Sequence, residues 1–341
     1  MQLLFFKQAL INAPEHFVQE TLQGIVAAYP DRLRLLDQND RVLLSTETGR
    51  DGKVGIVTGG GSGHLPVFLG YVGHGMADGC TVGNVFASPS YQAMADTIRA
   101  CNFGAGVLCL YGNYGGDKMN FDQACEDAEF DGISVASVRV CDDIASAPRG
   151  QESKRRGVAG LVYAYKLTGA AAARRMSLSE VERVAQKVIS NLRTIGVALS
   201  PCIVPEVGKP TFTIGEDEME IGMGIHGEPG IVVSRLLTAD ETAQMALDRL
   251  LEDLPLTAGD EVSVMVNSLG ATPPEELYIL YRAVAKILRN RGISIFMPHI
   301  GAYATSMEMA GVSITLCKLD AELKMLLRDP ADTPFYTNHN K

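Results

Sequence analysis

Short runs of β-branched and other apolar residues alternate with longer amphipathic segments along the first half of the chain. The runs at residues 54–58, 107–111 and 134–140 predict strands, and the segments at 91–101 and 120–130 predict helices. Strands that alternate with helices are typical of an α/β layer structure, in which functional loops follow the strand ends.

The same alternation continues in the second half, beginning with an amphipathic helix over residues 178–193. Ser177 can cap this helix, because Glu180 stands three residues later and completes the pattern of a capping box. The remaining pattern predicts a strand at 261–267, a helix at 274–291, a strand at 292–297, a short helix at 302–310 and a strand at 312–316.

This organisation predicts two tandem α/β domains, each a mixed sheet flanked by helices. The length of 341 residues fits two domains, since one domain spans about 150 residues as a rule of thumb. We expect the boundary between residues 1–176, which contain the glycine-rich run described below, and residues 177–341.

Composition and charge exclude several classes of protein and of partner. Apolar residues make up 46% and charged residues 21%, as in a folded globular protein. The net charge is −10 and no cluster of Lys and Arg interrupts it, so we expect no nucleic-acid partner. No uninterrupted apolar stretch is long enough to span a membrane, and residues 1–8 lack the pattern of a signal peptide.

The seven cysteines are odd in number, and none forms a C-x-x-C pair. This usage is typical of reduced thiols in a cytoplasmic protein rather than of disulfides or a zinc site.

Residues 58–64 (Thr-Gly-Gly-Gly-Ser-Gly-His) follow a predicted strand but match neither common phosphate-binding motif. The lysine of a Walker A loop is missing, and Pro66 occupies the last glycine position of a dinucleotide fingerprint. Two interpretations stay open. The run is either a tight structural turn or, as four glycines beside His64 favour, a loop whose backbone N–H groups bind a small polar ligand.

Two further residues stand in comparable settings. His226 lies among alternating glycines at 221–230, and Asp117 follows the predicted strand at 107–111. Each has a purely structural alternative, namely a hydrogen-bonded histidine and an Asx-turn or helix N-cap. Three loops at strand ends that each offer a His or an Asp nevertheless favour a shared pocket.

Taken together, these motifs resemble the substrate-binding K subunit of the dihydroxyacetone kinase family over essentially the full chain. The segments that carry the resemblance are residues 59–64 (GGGSGH), 83–90 (GNVFASPS), 113–117 (NYGGD), 196–202 (GVALSPC), 218–230 (EMEIGMGIHGEPG) and 304–311 (ATSMEMAG).

The resemblance implies that His226 attacks the carbonyl of a short-chain ketose such as dihydroxyacetone and holds it as a covalent hemiaminal. A neutral imidazole is a competent nucleophile near pH 7. His64 and Asp117 are implied to contact the substrate hydroxyls and assist proton transfer, with Asp117 the better candidate for the base. The backbone of Gly61, Ser62 and Gly63 is implied to hold substrate oxygens.

The resemblance also implies a division of labour between subunits. The chain has no lysine loop for phosphates and no carboxylate cluster for Mg²⁺, so we expect no cofactor and no metal in it. The nucleotide, Mg-ATP or Mg-ADP, is expected on a separate DhaL-type subunit, with bound ADP rephosphorylated by a DhaM-type phosphotransferase protein in the second case. A homodimer is implied as well.

Three positions depart from the family pattern. Leu65 stands where a Glu is usual, Gly112 replaces a Lys, and Asn84 replaces an Asp. These changes predict a less polar, roomier pocket and suggest a larger ketose such as erythrulose. Two other hypotheses compete with the kinase: a ketose-sensing co-activator that binds without catalysis, and a metal hydrolase with His64, His226 and Asp117 as ligands.

Overall fold

The computed structural model describes residues 9–339; the segment 1–8, assessed above for a signal peptide, lies outside them. A six-stranded sheet organises the first half in the order β1-β2-β4-β3-β5-β6. Its strands are β1 (Leu33–Leu36), β2 (Asn39–Ser45), β3 (Gly55–Ser62), β4 (Gly79–Val85), β5 (Val107–Gly112) and β6 (Val135–Val140). Strands β4, β3, β5 and β6 are mutually parallel, whereas β1 and β2 are antiparallel to their neighbours.

Helices cover both faces of this sheet. On one face lie α2 (Tyr91–Ala100) and α3 (Gly115–Phe130), and on the other lie α1 (Phe17–Ala28), α4 (Leu161–Ala173) and α5 (Leu178–Ser190). Alternate residues of β5 show the division, since Cys109 packs with the α2–α3 layer and Leu108 with the α4–α5 layer.

A seven-stranded mixed sheet organises the second half, in the order β11-β10-β13-β7-β8-β9 with β12 also paired to β10. Its strands are β7 (Leu192–Ala198), β8 (Glu218–Ile221), β9 (Val232–Arg235), β10 (Glu261–Ser268), β11 (Ser294–Ile295), β12 (His299–Gly301) and β13 (Gly311–Leu319). Helices α6 (Ala239–Asp253) and α7 (Pro274–Asn290) pack on one face. The chain then forms α8 (Ala321–Arg328) and the hairpin β14 (Ala331–Thr333) with β15 (Tyr336–Asn338).

Helix α4 lies between the two halves and is buried on all sides. Residues 161–172 are all buried, and apart from Lys166 and Thr168 the helix is correspondingly apolar on every side. It packs against α5, α8 and strands of the first sheet. The predicted boundary at 176/177 therefore separates the two sheets in sequence but passes between two packed helices, and it stays a prediction.

The α/β prediction is confirmed, with differences at particular ends. Ser177 and Glu180 form the predicted capping box, but α5 ends at Ser190 because Leu192 begins β7. The segment 302–310 is not a helix, since its backbone pairs with distant loops as described below. Strand β3 runs on through the glycines to Ser62, because these residues pair with β4.

None of the helices within residues 9–339 combines the length and apolarity needed to cross a lipid bilayer. All seven cysteines are free thiols.

Candidate functional site

The candidate site lies at the carboxyl edge of the first sheet. Because β3, β4 and β5 are parallel, the residues that follow them meet at one edge: His64 after β3, Phe86 after β4 and Asp117 after β5. Two segments of the second half, 222–230 and 302–310, lie against this edge and complete the site.

The glycine run is shaped first by close packing. A Cβ on Gly60 would lie 2.4 Å from the Phe68 ring, and one on Gly61 would lie 2.7 Å from the backbone nitrogen of Ala87. Gly63 has a positive φ of 97°, and a Cβ there would lie 2.7 Å from Phe86. The structural and ligand-binding interpretations of this run are thus compatible, because packing requires the glycines whatever their N–H groups bind.

His64 is buried and oriented by a loop from the other half of the chain. Its Nδ1 donates to the carbonyl of Thr305 at 2.8 Å, so Nε2 carries the lone pair. That Nε2 is buried and has no hydrogen-bond partner among residues 9–339. Burial, followed by the neighbouring His226, lowers the pKa of His64 to about 3, so the ring is neutral and acts as a hydrogen-bond acceptor.

His226 lies directly against His64, with ring centroids 4.6 Å apart and planes at 86°. Its Nδ1 lies 2.9 Å from Glu228 Oε1, and its backbone nitrogen donates to Glu228 Oε2 at 3.0 Å. A carboxylate only accepts, so it fixes the proton on Nδ1 and leaves Nε2 of the neutral ring as the nucleophilic atom.

Glu228 is held ionised although it is largely buried. Burial raises its pKa, but the hydrogen bond and charge of His226 and the charge of Arg156 together lower it to about 2. Arg156 lies 3.7 Å from Glu228 and is itself held by Asp143 at 2.7 Å. Gly224 makes room for this pair, because a Cβ there would lie 2.0 Å from Glu228 Oε2.

Asp117 lies in the first turn of α3, where a helix N-terminus favours a negative charge. Burial nevertheless raises its pKa to about 6, against a hydrogen bond from Ser88 and the charge of His226 that lower it. Its Oδ1 is buried and has no hydrogen-bond partner in the part of the chain that the structure describes. The N-cap is Tyr114, so the capping alternative for Asp117 is wrong.

Backbone hydrogen bonds to two other loops keep the segment 302–310 out of a helical conformation. Met307 donates from its backbone nitrogen to Gly63 at 2.8 Å, and Ser306 donates likewise to Leu269 at 2.7 Å. Met307 also has a positive φ of 53°, which a helix cannot accommodate. These tertiary bonds replace the helical ladder that the sequence pattern predicts here.

The three positions that depart from the family pattern lie in different environments in the structure. Asn84 is exposed, and Leu65 is partly buried against the first core. A Cβ on Gly112 would lie 3.0 Å from the ring of Tyr114, so the space beside Gly112 is already filled. The ring of Tyr114 packs directly against this position, and the roomier pocket stays a prediction.

The structure brings the three predicted polar residues together and adds three that the sequence analysis missed: Glu228, Arg156 and Tyr114. Glu228 could have been identified from the sequence, because it is a carboxylate two residues after His226. The other two depend on contacts between distant loops. Within residues 9–339, no group of three or more His, Cys, Asp or Glu side chains is arranged to hold a metal ion.

Comparison with known proteins shows the family to which this chain is related. The Dak1 domain matches residues 23–335. A PTS-dependent dihydroxyacetone kinase 2, dihydroxyacetone-binding subunit DhaK, from Listeria innocua serovar 6a is 45% identical over 327 residues, which cover 96% of this chain and 98% of that protein.

Two other similar proteins carry names that indicate different roles. An L-erythrulose kinase from Pectobacterium atrosepticum is 43% identical over 96% of this chain, which spans only 56% of that longer protein. The solved structure of a dihydroxyacetone kinase operon co-activator, Dha-DhaQ, has a TM-score of 0.88 and 32% identity and covers 94% of this chain and 98% of that one.

Proposed function

Because the chain belongs to the Dak1 domain family, we propose that it is the ketose-binding subunit of a dihydroxyacetone-type kinase. It holds a short-chain ketose and presents a terminal hydroxyl for phosphorylation. One observation carries the proposal: among residues 9–339, Nε2 of His64 and Oδ1 of Asp117 are buried without a partner, and His64 lies against the ring of His226 while Asp117 interacts electrostatically with it. Two acceptors beside a positioned nucleophile suit a small carbonyl compound that carries hydroxyl groups.

His226 is the proposed covalent residue. Its Nε2 forms a bond to the ketone carbon, the carbonyl π pair moves onto the oxygen, and that oxygen takes up a proton. The imidazole gives up the proton on Nδ1 in exchange, towards Glu228 at 2.9 Å and solvent. The product is a hemiaminal that tethers a ligand too small and too hydrated for strong apolar binding.

Asp117 is the proposed base for phosphoryl transfer. A pKa of about 6 suits a group that must be ionised at neutral pH and still accept a proton. His64, with a pKa of about 3, is a weaker base and serves as an acceptor for a substrate hydroxyl. The backbone of Gly61, Ser62 and Gly63 completes the proposed substrate shell.

The nucleotide is proposed to reside on a separate DhaL-type subunit, as Mg-ATP or as Mg-ADP. The 45% identical Listeria protein is named as PTS-dependent, which favours ADP rephosphorylated by a DhaM-type phosphotransferase protein. A homodimer in the cytoplasm completes the proposal, and the free thiols of all seven cysteines are consistent with a reducing compartment.

Intact-protein mass spectrometry after incubation with dihydroxyacetone tests the covalent step. The unaltered chain should gain one ketose mass, and His226→Ala should gain none. His16→Ala, which changes an exposed histidine far from the site, is the matched control. An adduct that persists in His226→Ala, or none in the unaltered chain, contradicts the proposal.

Erythrulose is a second candidate substrate, favoured by the 43% identity to an L-erythrulose kinase. Phosphorylation rates for erythrulose and dihydroxyacetone with the same DhaL-type subunit decide between them. The same assay separates the kinase from a co-activator, which would form the adduct and transfer no phosphate.

A further inference from the structure

We propose that Tyr114 is an oxyanion-binding residue of the ketose site. This inference rests on the proposed function, because it concerns the ligand tethered to His226. It adds a side-chain hydrogen-bond donor to a site in which the unpartnered buried side-chain atoms of His64 and Asp117, among the described residues, are acceptors.

The ring of Tyr114 is fixed between Gly112 and His226. Its centroid lies 4.7 Å from that of His226 with the planes at 88°, an edge-to-face contact. On the other side, a Cβ on Gly112 would lie 3.0 Å from Cε2 and 3.1 Å from Cδ2 of the ring. The backbone is fixed as well, since the nitrogen of Tyr114 donates to Gly112 and its carbonyl accepts from Lys118.

The hydroxyl of Tyr114 is buried and has no partner within the described residues. The nearest charged groups are already occupied: Glu228 accepts from His226 twice, and Arg156 is bound to Asp143 and to the carbonyl of Gly222. A buried polar group without a partner destabilises the fold, so it marks a place where a ligand atom fits.

Donor and acceptor roles decide which ligand atom this is. His64 Nε2 and the Asp117 carboxylate accept, so they suit the hydroxyl groups of a ketose. The carbonyl oxygen of a ketose only accepts, and it needs a donor. Burial, with the charge of Glu228, raises the pKa of Tyr114 well above its ordinary value, so its hydroxyl stays protonated and donates.

The hydroxyl would act where charge develops. As Nε2 of His226 bonds to the carbonyl carbon, the π pair moves onto the oxygen, and the phenolic O–H stabilises that oxyanion without losing its own proton. The oxygen then takes a proton from water. The imidazole of His226 loses its Nδ1 proton in the same exchange, so the number of protons is conserved. A preorganised donor at this position lowers the barrier to capture more than it strengthens binding of the free ketone.

Tyr114→Phe tests the inference, because it keeps the ring contacts and removes only the hydroxyl. Capture of carbonyl-¹³C dihydroxyacetone, followed by NMR without any nucleotide subunit, should slow about 10²-fold, as for the loss of one oxyanion donor. Tyr111→Phe is the matched control: it also removes a buried tyrosine hydroxyl, one bonded to Ser137 outside the site. Its capture rate should equal that of the unaltered chain.

Gly112→Ala gives a second, independent variant. Its methyl group would lie 3.0 Å from the Tyr114 ring and shift it by a few tenths of an ångström, so capture should slow less than in Tyr114→Phe. Adding it to Tyr114→Phe should change the rate little further, because both act through one hydroxyl. Capture by Tyr114→Phe at the unaltered rate overturns this inference alone. An unaltered chain that captures no ketose overturns the proposed function and this inference together.

Discussion

His226 donates two hydrogen bonds to the carboxylate of Glu228, one from the ring Nδ1 at 2.9 Å and one from its backbone nitrogen at 3.0 Å. The double contact fixes both the ring proton and the turn that carries the histidine. Since Arg156 helps to keep Glu228 ionised, and Asp143 holds Arg156, the orientation of the nucleophile depends on residues from both halves of the chain.

Glu228→Gln should slow ketose capture by about 10–100-fold, because a charge-assisted hydrogen bond becomes a neutral one. The carboxylate, with a pKa of about 2, is charged throughout the working pH range, so the loss should be independent of pH above 4. The rate of adduct formation measures it. Glu216→Gln, at an exposed position, should leave capture unchanged; an equal loss there would remove the specific role of Glu228.

Gly224→Ala should disrupt the same pair by steric means alone. Its Cβ would lie 2.0 Å from Glu228 Oε2 and 2.5 Å from Arg156 Nη1, so the carboxylate must move away from His226. We expect capture to fall at least as far as in Glu228→Gln. In Gly24→Ala the new Cβ meets nothing within 4 Å, which makes it the control; normal capture by Gly224→Ala would contradict the assigned geometry.

Asp117→Asn should separate capture from transfer. An amide cannot accept the proton of the terminal hydroxyl, so phosphorylation with a DhaL-type subunit should fall about 10²–10⁴-fold. Adduct formation at His226 should continue, because Asn keeps the shape of the side chain. Parallel loss of both steps would show that Asp117 supports the site rather than acting as base.

The same variant should be more stable than the unaltered chain above pH 6. Burial raises the pKa of Asp117 from 3.8 to about 6, so ionisation opposes folding. This destabilisation is absent below pH 3.8, grows up to pH 6 and is complete above it. The gain should approach about 3 kcal/mol at pH 8, from 1.36 kcal/mol per pKa unit. Chemical denaturation at pH 4 and pH 8 measures it, with Asp122→Asn on the exposed side of α3 as control.

Lys166→Met should also stabilise the fold at pH 7. This lysine is buried in α4, and its ammonium donates to the Leu326 carbonyl at 2.7 Å. Burial lowers its pKa from 10.5 to about 8, so its charge opposes folding below pH 8, and that effect fades between 8 and 10.5. The net gain should be about 1–2 kcal/mol after the lost hydrogen bond.

Thermal or chemical unfolding at pH 7 and pH 10 tests this, and the advantage of Lys166→Met should shrink at the higher pH. Lys286→Met, at an exposed position of α7, should change stability little. A less stable Lys166→Met at pH 7 would mean that the buried hydrogen bond outweighs the desolvated charge.

The sequence by itself determined the alternation of strands and helices, the capping box of Ser177 and Glu180, and the loops that carry His64, Asp117 and His226. These features are local. Side-chain periodicity, capping residues and short motifs act over a few positions, so they can be read along the chain.

Only the tertiary structure decided the rest of the site. The segment 302–310 has a helical pattern but forms an irregular loop with a turn at 306–309, because its backbone bonds to Gly63 and Leu269. The ring of Tyr114 fills the space at Gly112, and burial moves the pKa values of His64 and Asp117 in opposite directions. The first effect arises between groups that are distant in sequence, the second from the way the chain folds back around Gly112, and the third from the exclusion of water, and none of them is visible in a local pattern of residues.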